Sequence, residues 1–253
     1  MSESIRSELI KAELINPAWP APANVKAISS TRHGGYSAGP FHSLNLGNHV
    51  GDSADAVRRN RQQFQTNAAM PGQPVWLNQT HSTHCISLSS VAITNCDADA
   101  SFSVQPGLIC TVMTADCLPV LICNRQGTEV AAIHAGWRGL CNGITENTLQ
   151  LFSRPDDCMA WLGPAISQQA FEVGADVRAA FMQQDPGAGA AFVPGVSGKW
   201  FADLYLLARQ RLTASGIHAI YGAEYCTYQQ TADFFSYRRD GQTGRMATAI
   251  WLD

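Results

Sequence analysis

Charged residues are scarce in this sequence. Only 15% of the 253 residues are Asp, Glu, Lys or Arg, and the formal net charge is −3. A protein that binds nucleic acid or an anionic lipid surface usually concentrates basic residues, which this composition does not provide. We therefore expect a small-molecule partner, and neither nucleic acid nor a membrane.

Long apolar runs are also missing. A membrane helix needs about 18 or more apolar residues in succession, and even the apolar stretch LICTVMTADCLPVLIC contains Asp116. The N-terminal segment MSESIRSELIKAELINP has polar and charged residues between its apolar ones, so it lacks the hydrophobic core of a secretory signal. These features predict a cytoplasmic protein.

The sequence has no internal repeat and no linker rich in Pro, Gly and Ser that would separate two domains. Apolar residues make up 45% of the chain, enough for a sizeable core. We expect one domain spanning residues 1–253, acting as a monomer. Because the eight cysteines occur without a secretory signal, they are expected to be free thiols.

Short β-like runs alternate with helical ones, which predicts a layered α/β fold. The expected strands are 74–81, 107–113, 118–124, 128–134, 159–163 and 245–252. The expected helices are 53–67, 140–153, 170–183 and 201–214, with a long surface loop at 183–198.

The segment TADCLPV places Cys117 just before one of these strands. If Arg125 and Gln126 form a two-residue turn, Cys117 faces His134 across a hairpin. Facing side chains have Cβ atoms about 4.5–5.5 Å apart, which lets a thiolate and an imidazole share an ion at about 2.0–2.3 Å from each. The alternative is a cysteine and a histidine that merely pack at strand ends.

A third metal ligand is available in LNQTHSTHC, which contains His81 and His84. Residues three apart on a strand point to opposite faces, so one of the two is expected to be a ligand. The position next to the strand end slightly favours His81 and does not exclude His84. Two imidazoles and a thiolate with an open fourth position are typical of a catalytic zinc site.

Arginines next to glycines are candidates for binding an anion, because glycine allows close approach and the guanidinium group offers a fixed fork of donors. Arg138 in HAGWRGL is the first choice for contacting phosphate. The other candidates are Arg32 in TRHGG and the residues Arg238, Arg239 and Arg245 in YRRDGQTGR. Each of these arginines has a surface salt bridge as its alternative interpretation.

Several long motifs resemble the YfiH family, also called the laccase-domain or polyphenol-oxidase family. They include SLNLGNHVGD, WLNQTHS, TADCLPVLIC, AAIHAGWRGL and FFSYRRDGQTGRMATAIWL, and the resemblance runs from about residue 25 to residue 252. It implies a single domain with central mixed β-sheets flanked by helices, similar in core to the cytotoxic-necrotizing-factor deamidases. The chain departs from the family pattern at Tyr36, Thr80, Ser82 and Ser167, and Ser82 stands where glycine is usual.

The resemblance also implies a site and an activity. Its metal-binding motif falls on His81, Cys117 and His134 with zinc as the ion, and it adds Asn45 to the substrate-binding candidates. The implied reaction is phosphorolysis of purine nucleosides, namely adenosine, inosine and methylthioadenosine, with deamination of adenosine as a second activity. The general acid for deamination is not identified by a motif, since the H-x-E signature of zinc deaminases is absent; Asp116 is the candidate.

The sequence is also compatible with three alternative functions. A copper-dependent polyphenol oxidase is one, because a His₂Cys site also suits copper, although the chain has seven histidines and no H-x-H pair. A second is a metal-free cysteine hydrolase with Cys117 as nucleophile and His134 as base, and the family resemblance adds the editing of peptidoglycan precursors as its substrate class. The third is a binding module without catalysis.

Overall fold

Three β-sheets form the framework of the protein, in a computed structural model that describes residues 12–89 and 96–253. The strands are β1 (Leu14–Ile15), β2 (Val25–Ser30), β3 (Pro74–Trp76), β4 (Cys85–Ser87), β5 (Ala100–Ser103), β6 (Ile109–Thr114), β7 (Leu118–Asn124), β8 (Val130–Ala135), β9 (Cys158–Leu162), β10 (Glu172–Val173), β11 (Phe192–Pro194), β12 (Trp200–Ala202), β13 (Ala219–Gly222) and β14 (Met246–Leu252). The helices are α1 (Ala54–Asn67), α2 (Trp137–Asn142), α3 (Ile144–Leu149), α4 (Ala175–Gln184), α5 (Leu204–Ala214) and α6 (Tyr237–Asp240).

Both large sheets are mixed. The five-stranded sheet has the order β1-β2-β14-β6-β3, the six-stranded sheet the order β13-β9-β7-β8-β5-β4, and a small sheet the order β10-β12-β11. The pairs β3–β6, β4–β5 and β9–β13 are parallel, and the other pairs are antiparallel. The predicted α/β fold with mixed sheets flanked by helices is therefore confirmed.

The two large sheets pack face to face and are covered by helices outside. Cys110 and Ile250 of the five-stranded sheet pack with Leu121 and Ala132 of the six-stranded sheet in the core between them. Helices α2 to α5 cover the outer face of the six-stranded sheet, and α1 covers the five-stranded sheet through Phe64. With both faces covered, β7 is buried along its whole length, which explains its continuous apolar sequence LPVLICN.

Several element predictions need correction. The predicted helix 140–153 is two short helices, α2 and α3, because Gly143 between them has φ of +98° and interrupts the helical path. The predicted helix 170–183 begins only at Ala175, after the short strand β10. The segment 183–198 is not all loop, since it contains a 3₁₀ helix at Pro186–Ala191 and the strand β11.

The hairpin of β7 and β8 has a longer loop than the sequence pattern predicts. Pro119 pairs with His134, and Leu118 pairs with Ala135. Asn124 bonds the Glu129 carbonyl through its backbone N–H, so the loop takes up four residues and not two. Cys117 and His134 are consequently diagonal neighbours and not facing ones. The slip is two residues, an even number, so both side chains keep the same face of the sheet.

A three-residue connection carries the chain from one large sheet to the other. Residues 115–117 join the end of β6 to the start of β7, and Asp116 within it has φ of +94°. Asp is among the residues that tolerate positive φ better than most. Its carboxylate accepts hydrogen bonds from Thr227 Oγ1 at 2.7 Å and from the Arg238 backbone N–H at 2.6 Å, which fixes the crossing.

None of the helices in the described part of the chain has the length and apolar character that a membrane crossing requires. Residues 1–11 lie outside the described residues. The prediction made from the N-terminal segment therefore stays a prediction. All eight cysteines are free thiols.

Candidate metal centre

His81, Cys117 and His134 meet at one end of the space between the two large sheets. His134 is the penultimate residue of β8. Cys117 is the last residue of the connection between the sheets. The predicted strand 74–81 stops at Trp76, so His81 lies in the loop between β3 and β4, where it has φ of +61°. Three separate chain segments thus supply one side chain each.

The geometry of the three side chains suits a single ion. Their ligand atoms all lie within 4.8 Å of one another, and Cys117 Sγ is 3.9 Å from His81 Nε2. A tetrahedral ion at zinc–ligand distances needs donor atoms roughly 3.5 Å apart, so small side-chain adjustments suffice. Within residues 12–89 and 96–253, this is the one group of three or more His, Cys, Asp or Glu side chains that could hold a metal.

A buried carboxylate, Asp99, holds two of the three side chains in place. Its Oδ1 accepts hydrogen bonds from His134 Nδ1 at 2.8 Å and from the His81 backbone N–H at 3.0 Å. Its Oδ2 accepts the backbone N–H groups of Thr80 and Ser82 and the Ser82 hydroxyl. A carboxylate that orients a ligating histidine through its second nitrogen is a recurrent arrangement in metal sites, and here it leaves Nε2 of His134 for the ion.

Gly136 provides the room that the ligands need. It follows β8 and lies opposite Cys117, where a Cβ atom would come within 2.9 Å of His81 Cδ2 and 3.1 Å of Cys117 Sγ. Real Cβ atoms essentially never approach to less than 3.0 Å, so a larger residue would require the His81 side chain to shift. The first glycine of HAGWRGL, Gly136, is therefore explained by the site beside it.

The charges of the site favour a thiolate. Burial alone would raise the pKa of Cys117, but the neighbouring charge of His134 and hydrogen bonds from both histidines outweigh burial and lower it to about 6. Burial would lower the pKa of His134, but the charge of Cys117 and the hydrogen bond to Asp99 raise it to about 9. The pKa of Asp99 is held below its usual range, because hydrogen bonds from His134 and Ser82 outweigh the effect of burial.

His84 lies outside this group. Its side chain is exposed, and its carbonyl oxygen accepts the backbone N–H groups of Asp99 and Ala100. The strand argument that set His84 apart from His81 is wrong in its reason, because neither residue lies on a strand. The separation arises from the loop, in which Asp99 binds the backbone of His81 and turns that side chain toward Cys117.

A cavity of about 400 Å³ opens above the three side chains. Its lining also includes His49, Gln79, Met113, Thr114, Ala115, Tyr237 and Arg245. Gln79 binds the backbone of Met113 with both ends of its amide, at 2.8 Å to the carbonyl and 2.7 Å to the N–H, and so ties the His81 loop to β6. Volumes of this order are typical of small-molecule sites.

The candidate arginines fall into two groups. Arg245 lines the cavity, with its guanidinium group 5.9 Å from the ring centre of Tyr237. Arg138 does not line it: its side chain is exposed and stacks on its own neighbour Trp137. Of the two, Arg245 is therefore the arginine that the structure places at the cavity, and Arg138 as the phosphate contact stays a prediction.

The remaining arginines stabilise loops. Arg32 donates to the carbonyl oxygens of His42 and Thr231 and lies over the ring of Phe235. Arg238 donates to the carbonyl of Glu172. Arg239 is fully engaged with Asp240 and with the backbone carbonyls of Thr227, Tyr228 and Phe234. None of these three lines the cavity, and their role as substrate contacts stays a prediction.

Asn45 and Asp116 fix chain segments next to the site through hydrogen bonds. Asn45 is fully buried, and its side-chain oxygen accepts the backbone N–H groups of Gly47 and Arg245. It is not among the cavity-lining residues, and it fixes the backbone from which Arg245 extends. Asp116 directs its carboxylate to Thr227 and Arg238 and is not among the cavity-lining residues.

Comparison with known proteins shows the family to which the chain belongs. Residues 26–253 match the model of the family described as multi-copper polyphenol oxidoreductase laccase. The chain belongs to this family. Proteins named purine nucleoside phosphorylase YfiH from Shigella flexneri and Escherichia coli strain K12 are 54% and 53% identical to it, each over 95% of this chain and 99% of the relative. The expected YfiH relationship is confirmed.

Solved structures of family members share the fold. The crystal structure of Neisseria meningitidis protein NMB0706 is 52% identical and has a TM-score of 0.91, covering 95% of this chain and 99% of that one. The structure of YlmD from Geobacillus stearothermophilus is 29% identical with a TM-score of 0.88, over 96% and 98% of the two chains. The family architecture thus persists at low sequence identity.

Proposed function

We propose that this protein is a zinc-dependent purine nucleoside phosphorylase that cleaves adenosine, inosine and methylthioadenosine, with deamination of adenosine as a side activity. The observation that carries the proposal is the convergence of His81, Cys117 and His134 at the floor of a nucleoside-sized cavity. The naming of close relatives as purine nucleoside phosphorylases supports the same reaction class.

The donor set favours zinc over a blue-copper centre. Blue-copper sites add a weak axial ligand, usually a methionine sulfur, to two histidines and a cysteine. Met113 lines the cavity, but its Sδ accepts a hydrogen bond from Arg61 Nη2 at 3.7 Å. The sulfur is therefore directed toward Arg61 of α1. Zinc, when bound, would supply Lewis acidity toward a substrate oxygen or nitrogen.

The chain's own residues would orient the reactants. Phosphorolysis forms a bond from phosphate to C1′ of the ribose and breaks the bond from C1′ to the purine nitrogen, yielding free base and ribose 1-phosphate. Positive charge develops on the ribose, so a fixed anion beside it lowers the barrier. Arg245 is the cavity-lining group suited to hold that anion. Tyr237 at the mouth would limit access of bulk water.

Product analysis tests the proposal. Purified zinc-loaded protein is incubated with inosine or adenosine, with and without phosphate, and the products are separated by chromatography. We expect free base and ribose 1-phosphate only when phosphate is present, and conversion of adenosine to inosine without a phosphate requirement. Base release at an unchanged rate in phosphate-free buffer would reject phosphorolysis.

A second candidate is supported by the order Asp99, His134, Cys117. A base held by a carboxylate beside a thiol of lowered pKa is the arrangement that activates a cysteine nucleophile, as in a hydrolase acting on peptidoglycan precursors. His81 separates the two hypotheses, because a cysteine hydrolase does not need it. Amide hydrolysis by metal-free His81→Ala protein would favour the hydrolase, whereas loss of all activity with loss of zinc favours the metalloenzyme.

A further inference from the structure

A second, larger groove adjoins the cavity along α1. It has a volume of about 850 Å³ and is lined by α1 and by the segment from Ala69 to Trp76. Asn48 lines this groove while His49, the next residue, lines the metal cavity. Met113 lines the cavity and binds Arg61 of the groove. The two spaces are therefore separated by little more than His49, Met113 and Arg61.

Two arginines are fixed on either side of this boundary by one loop residue. The Leu46 backbone N–H donates to the Arg245 carbonyl at 3.0 Å, and the Leu46 carbonyl accepts Arg61 Nε at 2.9 Å. Gly47 packs directly on the Arg245 side chain, since a Cβ there would lie 2.7 Å from Arg245 Cγ. The same loop then carries His49 into the cavity lining.

Neither guanidinium group is neutralised by a carboxylate. In the described residues, Arg245 and Arg61 form no ion pair, whereas Arg58 on the same helix pairs with Asp55. Arg245 Nη1 donates to the carbonyls of Thr243 and Gly244, and its Nε and Nη2 have no acceptor in the described chain. Arg61 lies 4.0 Å from the ring centre of Trp76, with Nη1 likewise unused.

The electrostatic surroundings agree with this geometry. Burial lowers the pKa of both arginines, that of Arg61 to about 10, and for Arg245 the negative charges of Cys117 and Asp116 offset part of the effect. Burial also lowers the pKa of His49, and the positive charges of Arg245 and then Arg61 add to the effect, which means that His49 lies in the field of both. Partly buried cations that form no ion pair are stabilised when an anion binds between them.

We propose that Arg245, Arg61 and His49 form a binding site for a phosphate dianion at the boundary between the metal cavity and the α1 groove. Two guanidinium forks match the tetrahedral oxygens of phosphate with charge-assisted hydrogen bonds. The phosphate is either inorganic phosphate or the 5′-phosphate of a nucleotide, which present the same chemistry. The first source rests on the proposed phosphorolysis, and the binding itself does not.

Calorimetric titration of inorganic phosphate into zinc-loaded protein tests the site without requiring turnover. Arg245→Gln and Arg61→Gln are each expected to weaken phosphate binding about tenfold or more, because a charge-assisted hydrogen bond is lost. Arg61→Lys should recover part of the affinity, since it keeps the charge but not the fork. Arg58→Gln is the matched control, since Arg58 lines the same groove but is paired with Asp55, and it should bind phosphate as the wild type does.

Two further titrations identify the source of the phosphate. Binding of inorganic phosphate that persists in saturating adenosine identifies a co-substrate site. An affinity for adenosine 5′-monophosphate above that for adenosine, abolished by Arg61→Gln, identifies a nucleotide site. Either result supports the proposal. Thermal melting and circular dichroism of each variant establish that it is folded, and if Arg61→Gln does not fold, Arg61→Lys and Arg245→Gln carry the test.

Unchanged affinity for both anions in Arg245→Gln and in the folded Arg61 variant would overturn the proposal, as would a phosphate affinity that depends on Arg138 instead. The outcome is separable from that of the proposed function. Arginine-dependent phosphate binding without base release rejects phosphorolysis and leaves this site. If phosphorolysis occurs and neither arginine substitution changes the phosphate affinity, the proposed function stands and this site is rejected.

Discussion

His134 Nδ1 donates a hydrogen bond of 2.8 Å to Asp99 Oδ1. Because the same oxygen also accepts the backbone N–H of His81, one buried carboxylate sets the positions of two candidate ligands. Asp99 is fully buried, so its negative charge is little screened and is compensated by these donors together with those of Thr80 and Ser82. The carboxylate thus connects the fold of the six-stranded sheet to the chemistry of the cavity.

Asp99→Asn should weaken zinc binding by about 10- to 100-fold, the usual cost of changing a group that orients a metal ligand. The amide would also turn a donor toward the N–H groups of Ser82 or His81, so the melting temperature should fall as well. Zinc affinity is measured by competition with a chelating dye. Asp97→Asn is the control, because Asp97 is exposed and accepts a hydrogen bond from the Asn78 side-chain amide. Equal zinc affinity of the two variants would show that Asp99 does not orient the zinc ligands.

Cys117→Ala should abolish zinc binding and nucleoside cleavage while the fold remains. A chain of this size buries a core large enough not to depend on one ion. Metal content by plasma mass spectrometry and melting by circular dichroism measure the two effects, with metal-free wild type as the reference for stability. A variant that still binds one zinc per chain would contradict the ligand assignment.

The two histidines of the NQTHSTH loop should behave differently. His81→Ala should lose zinc, because His81 Nε2 lies 3.9 Å from Cys117 Sγ. His84→Ala should keep zinc and most of the activity, because its side chain is exposed and lies outside the ligand group. The same metal analysis decides the matter, and equal losses in both variants would show that the loop binds the ion in another conformation.

Gly136→Ala should lower zinc affinity by about tenfold or more, since the added methyl group meets His81 at 2.9 Å and Cys117 at 3.1 Å. Gly189→Ala is a suitable control, because a Cβ there meets flexible side-chain ends at ordinary contact distances, Met182 at 3.6 Å and Arg178 at 4.0 Å. Zinc titration of both variants measures the effect. Wild-type affinity in Gly136→Ala would mean that the ligands adopt positions other than those described.

Local sequence patterns predicted the strands well where both faces are buried. The run LPVLICN corresponds to β7 residue for residue, and the helix predicted at 53–67 is α1 with Ser53 as its cap. The hairpin register was missed because Asn124 Oδ1 accepts the N–H groups of Thr128 and Glu129, which closes a longer loop. Such side-chain bonds to a loop backbone leave no periodic signal in a sequence.

The candidate site was predictable where residue type alone restricts chemistry. Cys117 and His134 stand out as potential ligands in any reading, but Asp99 does not, because an aspartate before a strand is usually an exposed turn residue. Ser82, which replaces a usual glycine, gives Asp99 one more donor through its hydroxyl at 2.7 Å. The sequence could not place the arginines next to glycines, because only tertiary packing separates Arg245, which lines the cavity, from Arg138, which stacks on Trp137.

Anomalous diffraction from crystals of the zinc-loaded protein, recorded on both sides of the zinc absorption edge, tests the central claim most directly. We predict one zinc peak per chain at about 2.0–2.3 Å from His81 Nε2, Cys117 Sγ and His134 Nε2. Cys117→Ala crystals treated identically should lack the peak. A zinc peak bound elsewhere, or none among these three atoms in fully loaded protein, would contradict the account.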